Sequence, residues 1–90
     1  MKRTKADIRA LLIELIHEIA GIPQELITDE SAIDGDLLME SVKFVELQVA
    51  IEDELDIVTD AIQIVELNQL HAIVNYLFEA SAEAATRESV

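Results

Sequence analysis

The amino-acid sequence predicts a small all-α protein in which helices pack around one hydrophobic core. Apolar residues make up 51% of the 90 residues but aromatic residues only 3%, so the core has to consist mainly of Leu, Ile, Val and Ala. Two glycines and one proline supply few of the turns that a β-sandwich needs. Apolar residues also recur at intervals of three and four residues over long segments, which is the spacing of a helix that buries one face.

The first helix is predicted to begin at Thr4, because Asp7 follows three residues later in the pattern of a helix N-terminus. Gly21 and Pro23 end this helix. Residues 21–40 then form a long connection, which we expect to be ordered because apolar residues are spaced along it as contacts to the core. These contacts are Ile27, Ile33 and Leu37.

The second helix is predicted over about residues 41–55 and the last helix over about residues 69–80, from apolar residues at helical spacing. Between them, residues 57–66 are ambiguous. Their first part has the composition of a strand, whereas their second part could form a short helical turn.

One domain over residues 5–80 accounts for these elements. It follows a basic N-terminal lead, residues 1–4, and precedes a small polar tail, residues 81–90, that we expect to be frayed or disordered. The predicted core contacts are Leu11, Leu15, Phe44, Leu47, Ile51, Leu55, Leu70, Ile73 and Leu77.

The charge of the chain is strongly acidic. The net charge is −13, from 19 acidic and six basic residues, and four of the basic residues lie within the first nine positions. Because a phosphate backbone requires a basic surface, we expect no nucleic-acid partner, and anionic membranes are disfavoured for the same reason. This charge would attract a protein with a basic docking surface. The alternative is that the acidic charge only keeps a small protein soluble.

The sequence also predicts a cytoplasmic protein. No apolar run approaches the length that spans a bilayer, and the basic N-terminus is not followed by the small-residue cleavage site of a signal peptide. The chain has no cysteine, which fits a reducing compartment and excludes disulfides and thiolate zinc sites.

The second helix carries two apolar faces when its residues are placed about 100° apart on a helical wheel. The core face contains Phe44, Leu47, Ile51 and Leu55. The other face contains Val42, Val45 and Val49. The acidic residues on its two edges are Glu46, Glu52, Asp53 and Asp56. An apolar strip with a charged rim is typical of a docking surface. The alternative is a helix that is buried on both sides, or a face that the long connection covers.

Ser41 stands at the predicted start of the second helix. A serine there is most often an N-cap, although Phe44, three residues later, cannot complete a reciprocal capping box. If Ser41 bears a phosphodiester instead, its position is favourable, since a helix N-terminus offers unpaired N–H groups and a positive dipole end to an anion.

The residues around this serine resemble the acyl carrier protein family, whose usual motif is Asp-Ser-Leu followed by Val-Glu-Leu and an acidic helix end. Here Glu40-Ser41-Val42 precedes Val45-Glu46-Leu47 and an acidic helix end. The resemblance extends without obvious gaps from Gly21-Ile22-Pro23 to Val74-Asn75-Tyr76-Leu77. It implies a four-helix bundle with a long first loop and a short third helix near residues 60–66.

The resemblance also implies the function. A phosphopantetheinyl transferase would move 4'-phosphopantetheine from coenzyme A onto Ser41, and the thiol of this arm would hold an acyl intermediate, such as a fatty or polyketide chain, as a thioester. The protein would be a carrier rather than an enzyme, and a monomer. It would present its cargo to acyl-loading and acyl-processing enzymes with basic docking surfaces. The implied partner contacts are Glu40, Val42, Val45, Glu46, Val49, Glu52 and Asp53.

Two alternatives stay open at this point. One is an interaction protein of the same fold that is never modified, and the other is a carrier of aminoacyl or peptidyl groups. The first alternative is supported by two departures from the family pattern. The family usually has glycine at the position of Leu38 and aspartate at the position of Glu40.

Other departures from the family pattern suggest a specialised carrier with dedicated partners. Lys43 is expected to reverse the charge at one corner of the docking surface, and Phe44 to reshape any acyl cavity. Residues 61–65 are unusually apolar for the third helix.

No metal site is predicted. Asp34-Gly35-Asp36 suggests a calcium loop. With Gly35 at the sixth loop position, where such loops have glycine, Ser41 falls at the twelfth position, where a bidentate glutamate is required. His17 and His71 lie on different helices and are interpreted as surface or packing residues. Weak binding of divalent ions by clustered carboxylates stays an open alternative.

Overall fold

The computed structural model of the chain describes residues 4–32 and 41–88, and the side chains of Ser41 and of residues 83–88 lie outside that description. The helices are α1 (Lys5–Ala20), α2 (Ser41–Leu55), α3 (Ala61–Leu67) and α4 (Leu70–Glu88), with a short 3-10 helix at Gln24–Leu26. Within these residues the only β pairing is an isolated bridge between Ala32 and Gln69. The prediction of an all-α, four-helix fold with a short third helix is confirmed.

Helix α1 has well-defined signals at both ends. The Thr4 hydroxyl accepts a hydrogen bond from the Asp7 backbone N–H at 3.1 Å, and the Asp7 carboxylate accepts one from the Thr4 N–H at 3.0 Å. This reciprocal pair satisfies two N–H groups at the helix start. At the other end Gly21 has a φ of 74°, and its N–H donates to the His17 carbonyl at 2.9 Å. Glycine adopts this left-handed conformation without the strain that a side chain would add.

The core forms where α1 packs between α2 and α4. Its buried apolar residues are Ile8, Leu12, Ile16, Ile27, Leu47, Ile51, Leu55, Ile57, Ile64, Leu70, Ile73, Val74 and Leu77. Every predicted core contact on α2 and α4 except Phe44 belongs to this set. On α1, Leu11 and Leu15 pack against this core as predicted, but they are only partly buried, whereas Ile8, Leu12 and Ile16 are fully buried. The apolar arc of α1 is wide, and Leu12, about 100° from Leu11, lies nearer the centre of the arc.

The first part of the long connection is held against the start of α4. The Ser31 carbonyl accepts from the Leu70 N–H at 3.0 Å, and the Asp29 carbonyl accepts from the His71 N–H at 2.9 Å. These loop carbonyls pair with N–H groups in the first turn of α4, which have no partner within the helix. Ile27 is buried as predicted. Ile33, Leu37 and the Asp34-Gly35-Asp36 segment lie outside the described residues.

Helix α4 extends to Glu88, eight residues beyond the predicted end at Ala80. Helix α4 therefore includes most of the segment that was expected to be frayed or disordered. This segment is rich in alanine and contains neither glycine nor proline, so its residues favour continuation of the helix. None of the described helices combines the length and apolar character that crossing a bilayer requires.

Candidate functional site

Helix α2 begins at Ser41, as the sequence predicts. Its first turn contains no acidic residue, although acidic side chains are the ones that a helix N-terminus favours. The positive end of the helix dipole is thus not offset by a carboxylate within that turn. Glu40 and Leu38, and the predicted exposure of the Ser41 side chain, lie outside the described residues.

The second apolar face of α2 is exposed to solvent. Val42, Val45 and Val49 keep 69%, 54% and 50% of their surface accessible, and they are called the valine strip below. The opposite face buries Leu47 and Ile51 almost completely. The prediction of two distinct apolar faces is therefore confirmed. Large aliphatic side chains in a contiguous exposed stripe are typical of an interaction surface.

The acidic residues beside the valine strip are in two different environments. Glu46 and Asp53 are exposed. Glu52 is half-buried, and its carboxylate accepts hydrogen bonds from the Thr59 backbone N–H at 2.6 Å and from the Thr59 hydroxyl at 3.0 Å. The Gln48 side-chain amide donates to the Thr59 carbonyl at 3.3 Å and to its hydroxyl at 3.2 Å.

These three residues, Gln48, Glu52 and Thr59, form what is called the Thr59 clasp. Gln48 and Glu52 are four residues apart, so they lie on the same side of α2 and hold the connection to α3 from one helix. The clasp was missed in the sequence, because nothing in the local pattern around Thr59 indicates partners seven and eleven residues earlier.

The start of α3 is also held from α4. The Tyr76 hydroxyl accepts a hydrogen bond from the Asp60 N–H at 3.0 Å. The Asp60 carboxylate in turn caps α3 by accepting from the Ile62 N–H at 2.9 Å. Contacts from α2 and α4 therefore fix the position of α3 at its first residues.

Lys43, at the start of α2, contacts the end of α1. Its ammonium group donates a hydrogen bond to the Ile19 carbonyl at 3.1 Å, and its side chain is half-buried. This carbonyl belongs to the last turn of α1, where unpaired carbonyls and the negative end of the helix dipole favour a cation. The expectation that Lys43 reverses the charge at a corner of the docking surface stays a prediction. Phe44 is partly buried against the core.

A second group of exposed aliphatic side chains lies on α3 and just before it. Val58, Ile62 and Val65 keep 90%, 71% and 50% of their surface accessible, and they are called the α3 patch. Ile64 points inward and is almost fully buried. The apolar composition of this region is evident in the sequence, but its exposure is not.

The histidines make local contacts. The His17 Nδ1 lies 2.7 Å from the Ile22 carbonyl oxygen, and the His71 Nε2 lies 2.9 Å from the Gln69 side-chain oxygen. Over residues 4–32 and the described part of 41–88, no three His, Asp or Glu side chains are arranged to hold a metal ion.

Comparisons with known proteins found a family match and several similar sequences. A family model described as the phosphopantetheine attachment site matches residues 10–77, which include Ser41. The acyl carrier protein of Thermobifida fusca is 31% identical over 77 residues, covering 86% of this chain and 98% of the relative. The acyl carrier protein of Acidothermus cellulolyticus is 30% identical over 84 residues, covering 93% and 100%. That of Rhodococcus erythropolis is 33% identical over 86 residues, covering 94% and 93%.

Proposed function

Because the chain belongs to the acyl carrier protein family, we propose that it holds acyl groups as thioesters on a 4'-phosphopantetheine arm attached to Ser41. In acyl carrier proteins the matched domain is the site at which this arm is covalently attached. The observation that carries the proposal is the coincidence of the family match with the start of α2 at Ser41.

The surroundings of Ser41 support a phosphodiester there. In the transfer step the Ser41 hydroxyl oxygen forms the new bond to phosphorus, the pyrophosphate bond of coenzyme A breaks, and 3',5'-adenosine diphosphate leaves. The hydroxyl proton passes to a base of the transferase. The product carries a negative charge at the N-terminus of α2, where the helix dipole stabilises an anion by about 0.3–1 kcal/mol. No acidic residue lies in the first turn of α2, so the anion meets no carboxylate within that turn.

The valine strip supports docking of the enzymes that load and process the cargo. Its three side chains are at least half exposed, and acidic residues lie beside them. The sequence contains no lysine or arginine between Lys43 and Arg87. A partner with an apolar centre and a basic rim would fit this surface in both shape and charge.

The direct partner contacts that we propose are Glu40, Val42, Val45, Glu46, Val49 and Asp53. Glu52 is assigned a different role, because its carboxylate is engaged by Thr59. It would orient the docking surface by holding the connection to α3. Its negative charge would also add to the electrostatic attraction of a basic partner.

Intact-mass measurement tests the proposal. The chain is coexpressed with a broad-specificity phosphopantetheinyl transferase, and the wild type is expected to gain the mass of one phosphopantetheinyl group. Ser41→Ala should gain none, whereas the control Ser81→Ala, outside the matched segment, should be modified like the wild type. An unmodified wild type would favour the interaction protein that never carries an arm. An addition that persists in Ser41→Ala would place the attachment elsewhere.

The nature of the cargo is a separate measurement. Mass spectrometry of the modified protein from its native source should find an acyl thioester. An aminoacyl or peptidyl group on the arm would favour the second alternative instead.

A further inference from the structure

We infer that Lys43 is a positioning residue for the transfer of phosphopantetheine, because its side chain holds the first turn of α2, which begins at Ser41, against the end of α1. This inference rests on the proposed attachment at Ser41. It gives Lys43 an effect on the rate of the transfer step that is separate from the docking of the transferase.

The contact between Lys43 and α1 is the first observation. The Lys43 ammonium group donates a hydrogen bond to the Ile19 carbonyl oxygen at 3.1 Å, and the Lys43 side chain is half-buried. This carbonyl is one of the last four of α1, which have no acceptor role within the helix and lie at the negative end of its dipole. Because a buried ammonium group needs an acceptor, this hydrogen bond fixes the direction of the Lys43 side chain.

The acceptor itself is held in place by the capped end of α1. The Gly21 N–H donates to the His17 carbonyl at 2.9 Å, which closes the last turn of the helix. The His17 Nδ1 then lies 2.7 Å from the Ile22 carbonyl oxygen, and the Ile19 side chain packs against the core. Lys43 is therefore bonded to a part of α1 whose position relative to the core is fixed.

The described side chains in the first turn of α2 include none that is almost fully buried. Val42 is 69% exposed and Phe44 is partly buried, whereas Leu47, farther along, is almost fully buried. Ser41 lies six residues before Leu47, or about 9 Å along the axis, so a tilt of about 10° about Leu47 would move Ser41 by about 1.6 Å. Lys43 is only about 3 Å along the axis from Ser41, and its bond to α1 opposes such a tilt.

The transfer step is sensitive to a displacement of this size. The Ser41 oxygen forms its bond to phosphorus while the pyrophosphate bond of coenzyme A breaks, the hydroxyl proton passes to a base of the transferase, and 3',5'-adenosine diphosphate leaves. The attacking and leaving oxygens have to lie roughly in line, and a misplacement of about 1 Å can lower the rate about 10²-fold. A first turn that is held in place therefore favours the transfer step without strengthening the docking.

Single-turnover kinetics test the inference, because an excess of transferase separates the transfer step from product release. A broad-specificity phosphopantetheinyl transferase and coenzyme A are used with the unmodified chain, and the product is followed by intact mass. Lys43→Met should lower the rate at saturating transferase about three- to thirtyfold, while the transferase concentration at half-saturation should stay within about twofold of the wild type. Lys43→Arg, which keeps a cationic donor, should recover most of the rate.

The matched control for stability is Thr4→Ala. It removes the N-cap of α1, at the opposite end of that helix from Ile19, and it should destabilise the fold in the same range as Lys43→Met. Its rate at saturating transferase should equal that of the wild type. If Thr4→Ala slows the transfer as much as Lys43→Met does, Lys43 acts only through stability and the inference is overturned.

Two other results would also overturn the inference. An unchanged rate of Lys43→Met at saturating transferase would remove the positioning role. A change confined to the concentration at half-saturation would assign Lys43 to the docking charge instead. A wild type that accepts no arm at all is a different result, because it contradicts the proposed function itself.

A second measurement covers the case in which Lys43→Met is poorly folded. In the isotope-labelled wild type, the backbone amide order parameters of residues 42–44 should match those of residues 45–50, near the value of about 0.85 for a rigid backbone. Lys43→Gln, whose side chain is shorter, should lower them in the first turn only. A first turn that is already mobile in the wild type would show that Lys43 does not hold it.

Discussion

The replacement Glu52→Ala should destabilise the fold by about 1–2 kcal/mol. The Glu52 carboxylate accepts hydrogen bonds from the Thr59 N–H at 2.6 Å and the Thr59 hydroxyl at 3.0 Å. Hydrogen bonds to a charged group contribute about 1.5–3 kcal/mol each when they are well desolvated. Glu52 and Thr59 are both half-buried, so water can replace part of the lost hydrogen bonding. The expected loss of stability is therefore smaller than the sum of two such hydrogen bonds. In a domain of this size, the melting temperature should fall by about 5–15 °C.

Thermal and urea unfolding followed by circular dichroism measure this effect. Asp53→Ala is the matched control, since it removes a neighbouring carboxylate that is exposed. In a chain of net charge −13, removing an acidic residue lowers self-repulsion, so the control should be neutral or slightly stabilised. Glu52→Gln, which keeps one oxygen acceptor, should lie between Glu52→Ala and the wild type. If Glu52→Ala unfolds at or above the temperature of Asp53→Ala, the Thr59 clasp does not stabilise the connection to α3.

Three further predictions concern other parts of the chain. Gly21→Ala should destabilise by about 1 kcal/mol, measured by urea unfolding, because φ is 74° there and a side chain is strained in that conformation. Lys43→Met should cost about 0.5–1.5 kcal/mol through loss of the hydrogen bond to the Ile19 carbonyl, and a transferase KM that rises severalfold would contradict this structural role. Glu46→Lys should lower kcat/KM with the transferase more at low salt than at high salt, whereas a loss independent of salt would argue against electrostatic docking.

The parts of the fold that depend on local pattern could be predicted from the sequence. The capping pair of Thr4 and Asp7 and the glycine that ends α1 are local, so their positions follow from short-range rules. The two faces of α2 follow from the period of a single helix, and the exposure of Val45 agrees with it. Phe44 lies within the arc of the core face but in the first turn of α2, where it is partly buried against the core.

The parts that depend on a distant partner could not be predicted in this way. The direction of the Lys43 side chain depends on where α1 ends, because its hydrogen-bond acceptor is the Ile19 carbonyl. The position of that carbonyl does not follow from the sequence around Lys43. The contact of Glu52 with Thr59 could not be predicted for the same reason, since the spacing along α2 suggests only a docking residue. For α1, several leucines and isoleucines compete for one buried side, and only the packing of α2 and α4 decides between Leu11 and Leu12.

Three of the six basic residues have described side chains, and each contacts α1, α4 or the loop that follows α1. Lys5 lies over the Phe78 ring, 5.4 Å from its centroid, Arg9 pairs with Asp29, and Lys43 reaches the end of α1. Exposed charges are largely screened beyond about 8–10 Å at physiological salt, so an approaching partner responds to the charges near its contact rather than to the total. A lysine on the outer face of α3 would change the net charge by little but would place a repulsive charge where a basic rim has to bind. The sign of the proposed docking surface therefore depends on where these three cations are held, more than on the overall charge of −13.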